Sequence, residues 1–292
     1  MNIRSGILAL SLLLVAPTSH ANDLKPETVK AWEEYVQAAN SQFRERLNQR
    51  GHFLRVEEAP DRVSSLIQGQ ILVEPVGTNG HENVPHGLIH DWYGAIFVPG
   101  ARIDDVLYVL GDYDRYQDIY HPAVVDSKLL ERADDHDKFS LLMLSKVLFV
   151  TVALAGQYES HLTCVDGKRC YIVSHSVLTQ EIKDFGRPGE HILPPDQGDG
   201  FLWRLYGVTS FEERDGGVVI ENESIALSRD IPVSVRWLVN PIVSRLPRNS
   251  LTTGLMQTRD AVSAATAMQS QRQVTGHLDP VEFSVARHSG AR

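Results

Sequence analysis

The stretch Gly200–Ser228, GFLWRLYGVTSFEERDGGVVIENESIALS, runs directly into RDIPVSVRWLVNPIVSRLP. Two long β-prone runs flank Asp215-Gly216-Gly217, the dipeptide chemistry of a hairpin turn. Pro232 then leads through an apolar segment, broken by Pro241, toward a helical pattern. A long antiparallel hairpin feeding a helix that folds back across it is a way for a sheet to grip a cavity. No nucleophile elbow, metal-ligand cluster or phosphate loop accompanies it, so function has to be argued from a pocket.

Side-chain alternation places Trp203, Leu205 and Phe211 on one face of the first strand, with Arg204, Tyr206 and Ser210 on the other. The face taken by the second strand depends on the turn. A two-residue loop sets Ser224 and Ala226 beside Trp203 and Leu205; a three-residue loop sets Glu223, Ile225 and Leu227 there. The second register gives the cleaner apolar row and is the expected one. Glu223 is then a buried acid in need of a partner, for which Arg229 and Arg236 are candidates.

The N-terminus reads as a leader. Arg4 precedes an apolar run from Ile7 to Ala16, and Ser19 and Ala21 supply small residues at −3 and −1 of a cut after Ala21. The run is about 10 residues, short of the roughly 20 a spanning helix needs. The expected location is therefore periplasmic or secreted. The remaining chain, about 270 residues, suits one large domain or one domain with extensions. A net charge of −9 argues against nucleic acid, which needs a basic face, and against an anionic membrane.

The two cysteines lie in LTCVDGKRCYIV. A loop of Asp166-Gly167-Lys168 between two strand-like runs makes Cys164 and Cys170 near cross-strand neighbours, so a disulfide is expected in an oxidising compartment. A CxxxxxC metal site is the weaker alternative.

Along the chain, residues 23–50 carry Val29, Trp32, Val36, Ala39, Phe43 and Leu47 on one helical stripe. A short strand falls at 70–76, a loop at 77–87, and a strand at Leu88–Val98 stopped by Pro99-Gly100. Residues 103–120 read as helix, broken in two at Gly111-Asp112. Strand-like runs follow at 123–131, 138–152, 157–165 and 169–183. The closing helix is expected over Arg248–Ala267 with Leu251, Leu255 and Val262 toward the sheet, and an aperiodic tail after it. Helices segregated at the ends of an antiparallel meander define an α+β domain.

VPGARIDDVLYVLGDYDRYQDIYHP resembles the first strand-to-helix passage of the START/polyketide-cyclase (SRPBCC) superfamily, and GFLWRLYGVTSFEERDGGVVIENESIALSRDIP with RWLVNPIVSRLPRNSLTTGLMQTRDAV resembles its last two strands and closing helix. The likeness spans about residues 85 to 265 and is nearest to an exported bacterial group of that superfamily. It implies a helix-grip fold, with a curved antiparallel sheet wrapped around a long C-terminal helix and an apolar cavity between them. In related families that cavity holds lipids, sterols or polyketides; some members are cyclases or hydrolases, and fold alone does not choose. The implied layout is a leader over 1–21, an N-terminal helical extension over 22–84, the helix-grip domain over 85–267 and a tail over 268–292.

The expected function is a carrier for a hydrophobic or amphipathic molecule, with lipid the first choice, and no cofactor or metal. Expected contacts are Trp203, Leu205, Tyr206, Glu223, Ile225, Leu227, Trp237, Leu238, Leu251 and Leu255, with Glu223, Arg204 or Tyr206 fixing a head group. Residues 233–246 read as a lid or rim; an exposed apolar patch there would instead mean membrane docking, so transient membrane contact stays open beside the small-molecule partner. Enzymatic use of His90, His175 or Glu223 is the alternative, as is a scaffold whose N-terminal helix binds a protein partner. His86, His90 and Asp91 lack a placeable third metal ligand, Ser174-His175-Ser176 makes a poor triad, and the charge run 131–137 reads as a solvated hairpin turn.

Overall fold

The computed structural model describes residues 23–48, 52–77, 79–147, 150–230 and 246–275. Helix α1 (Pro26–Asn48) is followed by a 3-10 turn (Arg55–Glu58), α2 (Pro60–Ile67) and strands β1 (Leu72–Pro75), β2 (His81–Val84) and β3 (Gly87–Pro99). Helices α3 (Ile103–Leu110) and α4 (Tyr116–Ile119), joined by a 3-10 turn at Tyr113–Arg115, lead to β4 (Val124–Arg132), β5 (Asp137–Val147), β6 (Val150–Cys164) and β7 (Arg169–Lys183). The short β8 (His191–Ile192), then β9 (Arg204–Arg214), β10 (Gly217–Arg229) and α5 (Leu246–Thr275) complete the order.

The described strands form one 10-stranded antiparallel sheet ordered β1-β3-β10-β9-β7-β6-β5-β4, with β2 on β3 and β8 on β7. This is the α+β helix-grip arrangement. Helices cover both faces. On the inner face α5 and α3 pack Leu255, Val262, Ala265, Val106 and Val109 against Ile96, Val98, Phe211, Val218 and Ile220. On the outer face the α1 stripe sets Trp32 and Phe43, with Val36, Ala39 and Leu47, against Ile89, Tyr206, Val208, Ile225 and Leu227. Phe53, Leu54, Val56 and Leu66 continue that cover over Ala95, Phe97 and Val219.

Glycine sets the approach at two places. A Cβ on Gly94 would lie 2.7 Å from a Leu255 methyl, so the missing side chain lets α5 settle onto β3. A Cβ on Gly217 would lie 2.3 Å from the Val98 carbonyl, well inside contact distance.

Pairing on both sides decides the hairpin, since Gly217 lies opposite Pro99 of β3. Gly217 belongs to β10, opposite Arg214, and the turn is the two-residue Asp215-Gly216 with φ of 52° and 77°. Both signs are those of a type I′ turn, which Asp-Gly favours. The expected three-residue loop is therefore corrected: Ala226 faces Leu205 and Ser224 faces Gly207. The row Ile225, Leu227 and Glu223 turns toward α1, away from α5.

The turn expected between Val152 and Gln157 is also absent. Residues 153–156 lie in mid-strand of β6, where Gly156 makes room for the Tyr158 ring; a Cβ there would sit 2.5 Å from the hydroxyl. Helix α5 runs past Ala267 to Thr275. Cys164 and Cys170 face each other at the β6–β7 hairpin and are disulfide-bonded, with Cα atoms 4.0 Å apart. The break at Gly111-Asp112 and the turn within 131–137 fall where expected.

Candidate functional site

In the inner face of the central strands, strand register aligns small residues. Ser224 of β10 lies opposite Gly207 of β9, Gly207 opposite Ser174 of β7, and Ser174 opposite Ser160 of β6. These alternate with outward residues, so their side chains share the α5 face. The result is a trough across the sheet. One flank is Asn222 and Thr209, whose side chains join at 2.7 Å, with Ile172 next in the row. The other flank is Ala226 and Leu205, continuing through Tyr158 and Phe139.

Exposure follows the same parity. Along β9, Tyr206, Val208 and Ser210 on the α1 face are buried, whereas Leu205, Gly207 and Thr209 are partly exposed. On β10, Asn222, Ser224, Ala226 and Ser228 are partly open while Ile225 and Leu227 are not. A helix lies over this face, yet its centre remains accessible, because α5 packs along β3 and against α3.

The far wall is aromatic. Tyr113 stacks on Phe139 at 4.3 Å and Phe139 on Tyr158 at 5.3 Å, with Tyr116 edge-on to Phe139. The wall's hydroxyls are paired, Tyr113 with Ser160 at 2.6 Å, Tyr116 to the Leu110 carbonyl at 2.6 Å and Tyr120 with Thr258 of α5 at 3.0 Å, and the Arg132–Asp137 ion pair closes the end beside Tyr113. Burial pushes the Tyr113 phenol up to about 12, so it stays protonated.

The expected contacts divide between the two faces. Leu205, Leu251 and Leu255 lie on the α5 side. Trp203, Tyr206, Ile225 and Leu227 are instead core of the α1 layer, and Trp237 and Leu238, with the expected lid, fall outside the described residues. Glu223 also faces the α1 layer. Its partner there is Arg55 at 3.6 Å, an N-terminal residue that no local pattern links to β10. Arg229 bonds backbone to backbone with Gly200, and Arg236 is outside the described residues. Arg204 is paired with Asp196 at 2.7 Å.

The acid–base candidates do not converge. His90 is on the inner face with Nε2 3.0 Å from Ser228 Oγ, and burial, then His81, pushes it down to about 4, leaving it neutral. His175 and Glu223 are on the opposite face, in register with Tyr206 and Val208. His86 occupies the β2–β3 turn with φ 55° and pairs with Glu27 at 3.3 Å. Among the described residues no group of three or more His, Cys, Asp or Glu is placed to hold a metal, and no helix is long and apolar enough to cross a membrane.

A large antiparallel sheet gripping a C-terminal helix, with an accessible trough beside it, is the fold that the superfamily resemblance implied. No family model and no curated protein matches the sequence. Among solved structures the chain is similar to the di-domain ARO/CYC StfQ of the steffimycin biosynthetic pathway, at 16% identity and TM-score 0.43 over 63% of this chain. The aligned part spans about half, 52%, of that protein. It is also similar to a STAR-related lipid transfer protein fragment from Xanthomonas axonopodis, at 20% identity and TM-score 0.39 over 62% of this chain and 99% of the fragment. Human STARD10 aligns at 9% identity and TM-score 0.41 over 69% of this chain and 80% of its own.

Proposed function

We propose that this chain is an exported binding protein that holds a hydrophobic or amphipathic small molecule, with lipid the first class to test, between the sheet and α5. The observation that carries this reading is the trough: Ser224, Gly207, Ser174 and Ser160 in register on the sheet face that carries α5, beside the helix rather than under it, partly open at its centre and walled by aromatic rings. A sheet face meant only for packing fills such a row with branched side chains, because interiors are close-packed. Burial of an apolar ligand there contributes about 25 cal/mol per Å² before ordering costs. The leader pattern at residues 4–21 supports the exported half of this reading, with a periplasmic or secreted carrier.

Native mass spectrometry of the protein isolated from its own periplasm tests both halves. The expected result is a chain beginning at Asn22 with a co-purifying apolar molecule. Gly207→Leu should lack that molecule while keeping the fold, because a Cβ there meets nothing nearer than the Glu223 carbonyl at 3.4 Å. Repeated recovery of the wild type with an empty trough, or a variant that retains the ligand, overturns the reading.

A further inference from the structure

Buried polar groups of folded proteins are hydrogen-bonded, and each exception calls for an explanation. Among the described residues Asp105, His136 and Thr179 are scattered exceptions, but Arg46, Asp91, Tyr206 and Glu212 share the outer face, the sheet side remote from the trough. Arg46 of α1 is 13% exposed, its Nε has no hydrogen-bond partner, and its nearest carboxylate, Glu58, is 3.8 Å away. Arg55 stands 3.6 Å from Glu223, also beyond hydrogen-bond distance, with its guanidinium over the Tyr93 ring. The Tyr206 hydroxyl and Asp91 Oδ1 are buried without partners on the same sheet face.

Between these elements lies a cavity of about 260 Å³ walled by Gln42, Arg46, His52, Arg55 and Glu223, with Glu45 and Glu58 also lining it. That is roughly nine waters' share of liquid volume, too small for a drug-sized ligand and ample for a small metabolite. The two arginines and Glu223 stand inside, at 13%, 25% and 15% exposure, whereas Glu58 is 58% exposed and Glu45 is also exposed, so the inner wall keeps one positive charge in excess. Guanidinium forks recognise carboxylates through paired N–H donors. Outer carboxylates favour an ammonium and repel a simple anion or an anionic bilayer surface.

We propose that this outer-face pit is a second binding site, taking a free zwitterion of the amino-acid kind. Its carboxylate sits against Arg46 and Arg55 and its amine toward Glu45 and Glu58. The site is independent of the trough and its occupant.

Calorimetry on the full chain with each of the twenty free L-amino acids tests this, with inorganic phosphate and the decarboxylated amine of any binder as controls. At least one amino acid should bind the wild type. Arg46→Gln and Arg55→Gln should each weaken it tenfold or more, the amine should not bind, and both variants should keep whatever co-purifies in the trough. If either arginine variant fails to fold, Gln42→Leu removes a donor from the same wall and should weaken binding without touching an ion pair. Failure of all amino acids, binding that survives Arg46→Gln, equal binding of the amine, or binding of phosphate alone would each overturn the proposal.

Discussion

Replacing Asp91 by Asn should make this protein more stable at pH 8 and leave it nearly unchanged at pH 4. Asp91 is 2% exposed beneath α1; its Oδ2 accepts the Tyr35 hydroxyl at 2.8 Å and its Oδ1 accepts nothing. Burial, then the neighbouring Glu223 carboxylate, pushes it up to about 7 from an unfolded value near 3.8. Across that window the folded chain keeps a proton that the unfolded chain has released. Stability from this residue is therefore whole below the unfolded value and falls as pH rises, reaching its full loss above 7. At 1.36 kcal/mol per unit the ceiling is about 4 kcal/mol. Glu223 is raised by the same burial and Glu221 is pushed up to about 7, so part of the effect is shared with these neighbours. A gain of about 2–3 kcal/mol for the variant at pH 8 is the working figure. Asn cannot ionise, and its amide oxygen still accepts from Tyr35. Urea unfolding at pH 4, 6 and 8 reads the difference. A variant curve parallel to that of the wild type, with no gap opening between pH 4 and 8, would show that Asp91 is not the strained acid its surroundings make it; the difference is the readout because His90, pushed down by burial, adds its own rise with pH to both curves.

The remaining expectations are structural. Gly217→Ala should lower stability by about 3 kcal/mol or more, since its Cβ would lie 2.3 Å from the Val98 carbonyl, whereas Gly216→Ala should lose only about 1–2 kcal/mol through its positive φ. Thermal melts of the two variants separate packing from turn strain, and equal losses would refute the distinction. Opening the Cys164–Cys170 bond, which closes a separation of 6 residues, should cost about 2 kcal/mol on chain-entropy grounds. Cys170→Ser should cost more than Cys164→Ser, because Cys170 is buried beside Phe211 and Cys164 is exposed at the hairpin end. Chemical denaturation of both under oxidising conditions checks the order.

Much of the frame is readable from local chemistry. The α1 stripe, the helix pair broken at Gly111-Asp112, the Cys164–Cys170 hairpin and the α5 contacts of Leu255 and Val262 follow from periodicity and turn residues acting over a few positions. The hairpin register does not. Asp215-Gly216-Gly217 is compatible with either loop, and what assigns Gly217 to β10 is its pairing opposite Pro99 of β3, more than a hundred positions away in the chain. Apolar alternation then pointed to the wrong face for a physical reason. A sheet covered by helices on both sides needs large apolar residues on both, so Ile225 and Leu227 mark a buried face without saying which helix buries it.

The trough lies deeper still, because its signal is small side chains. Ser224, Gly207, Ser174 and Ser160 are unremarkable singly and acquire meaning only when three strand pairings bring them into one line. The same pairings carry Glu223 away from that line and set it beside Arg55, in the outer pit. One residue of offset in the turn thus exchanges the lining of both cavities. Had β10 been shifted by one, Glu223 would leave Arg55 and face the trough, where Arg132 at the far end is already paired with Asp137, at a desolvation penalty of several kcal/mol. The two-residue turn, the apolar inner trough and the charged outer pit are therefore one choice of register seen in three places.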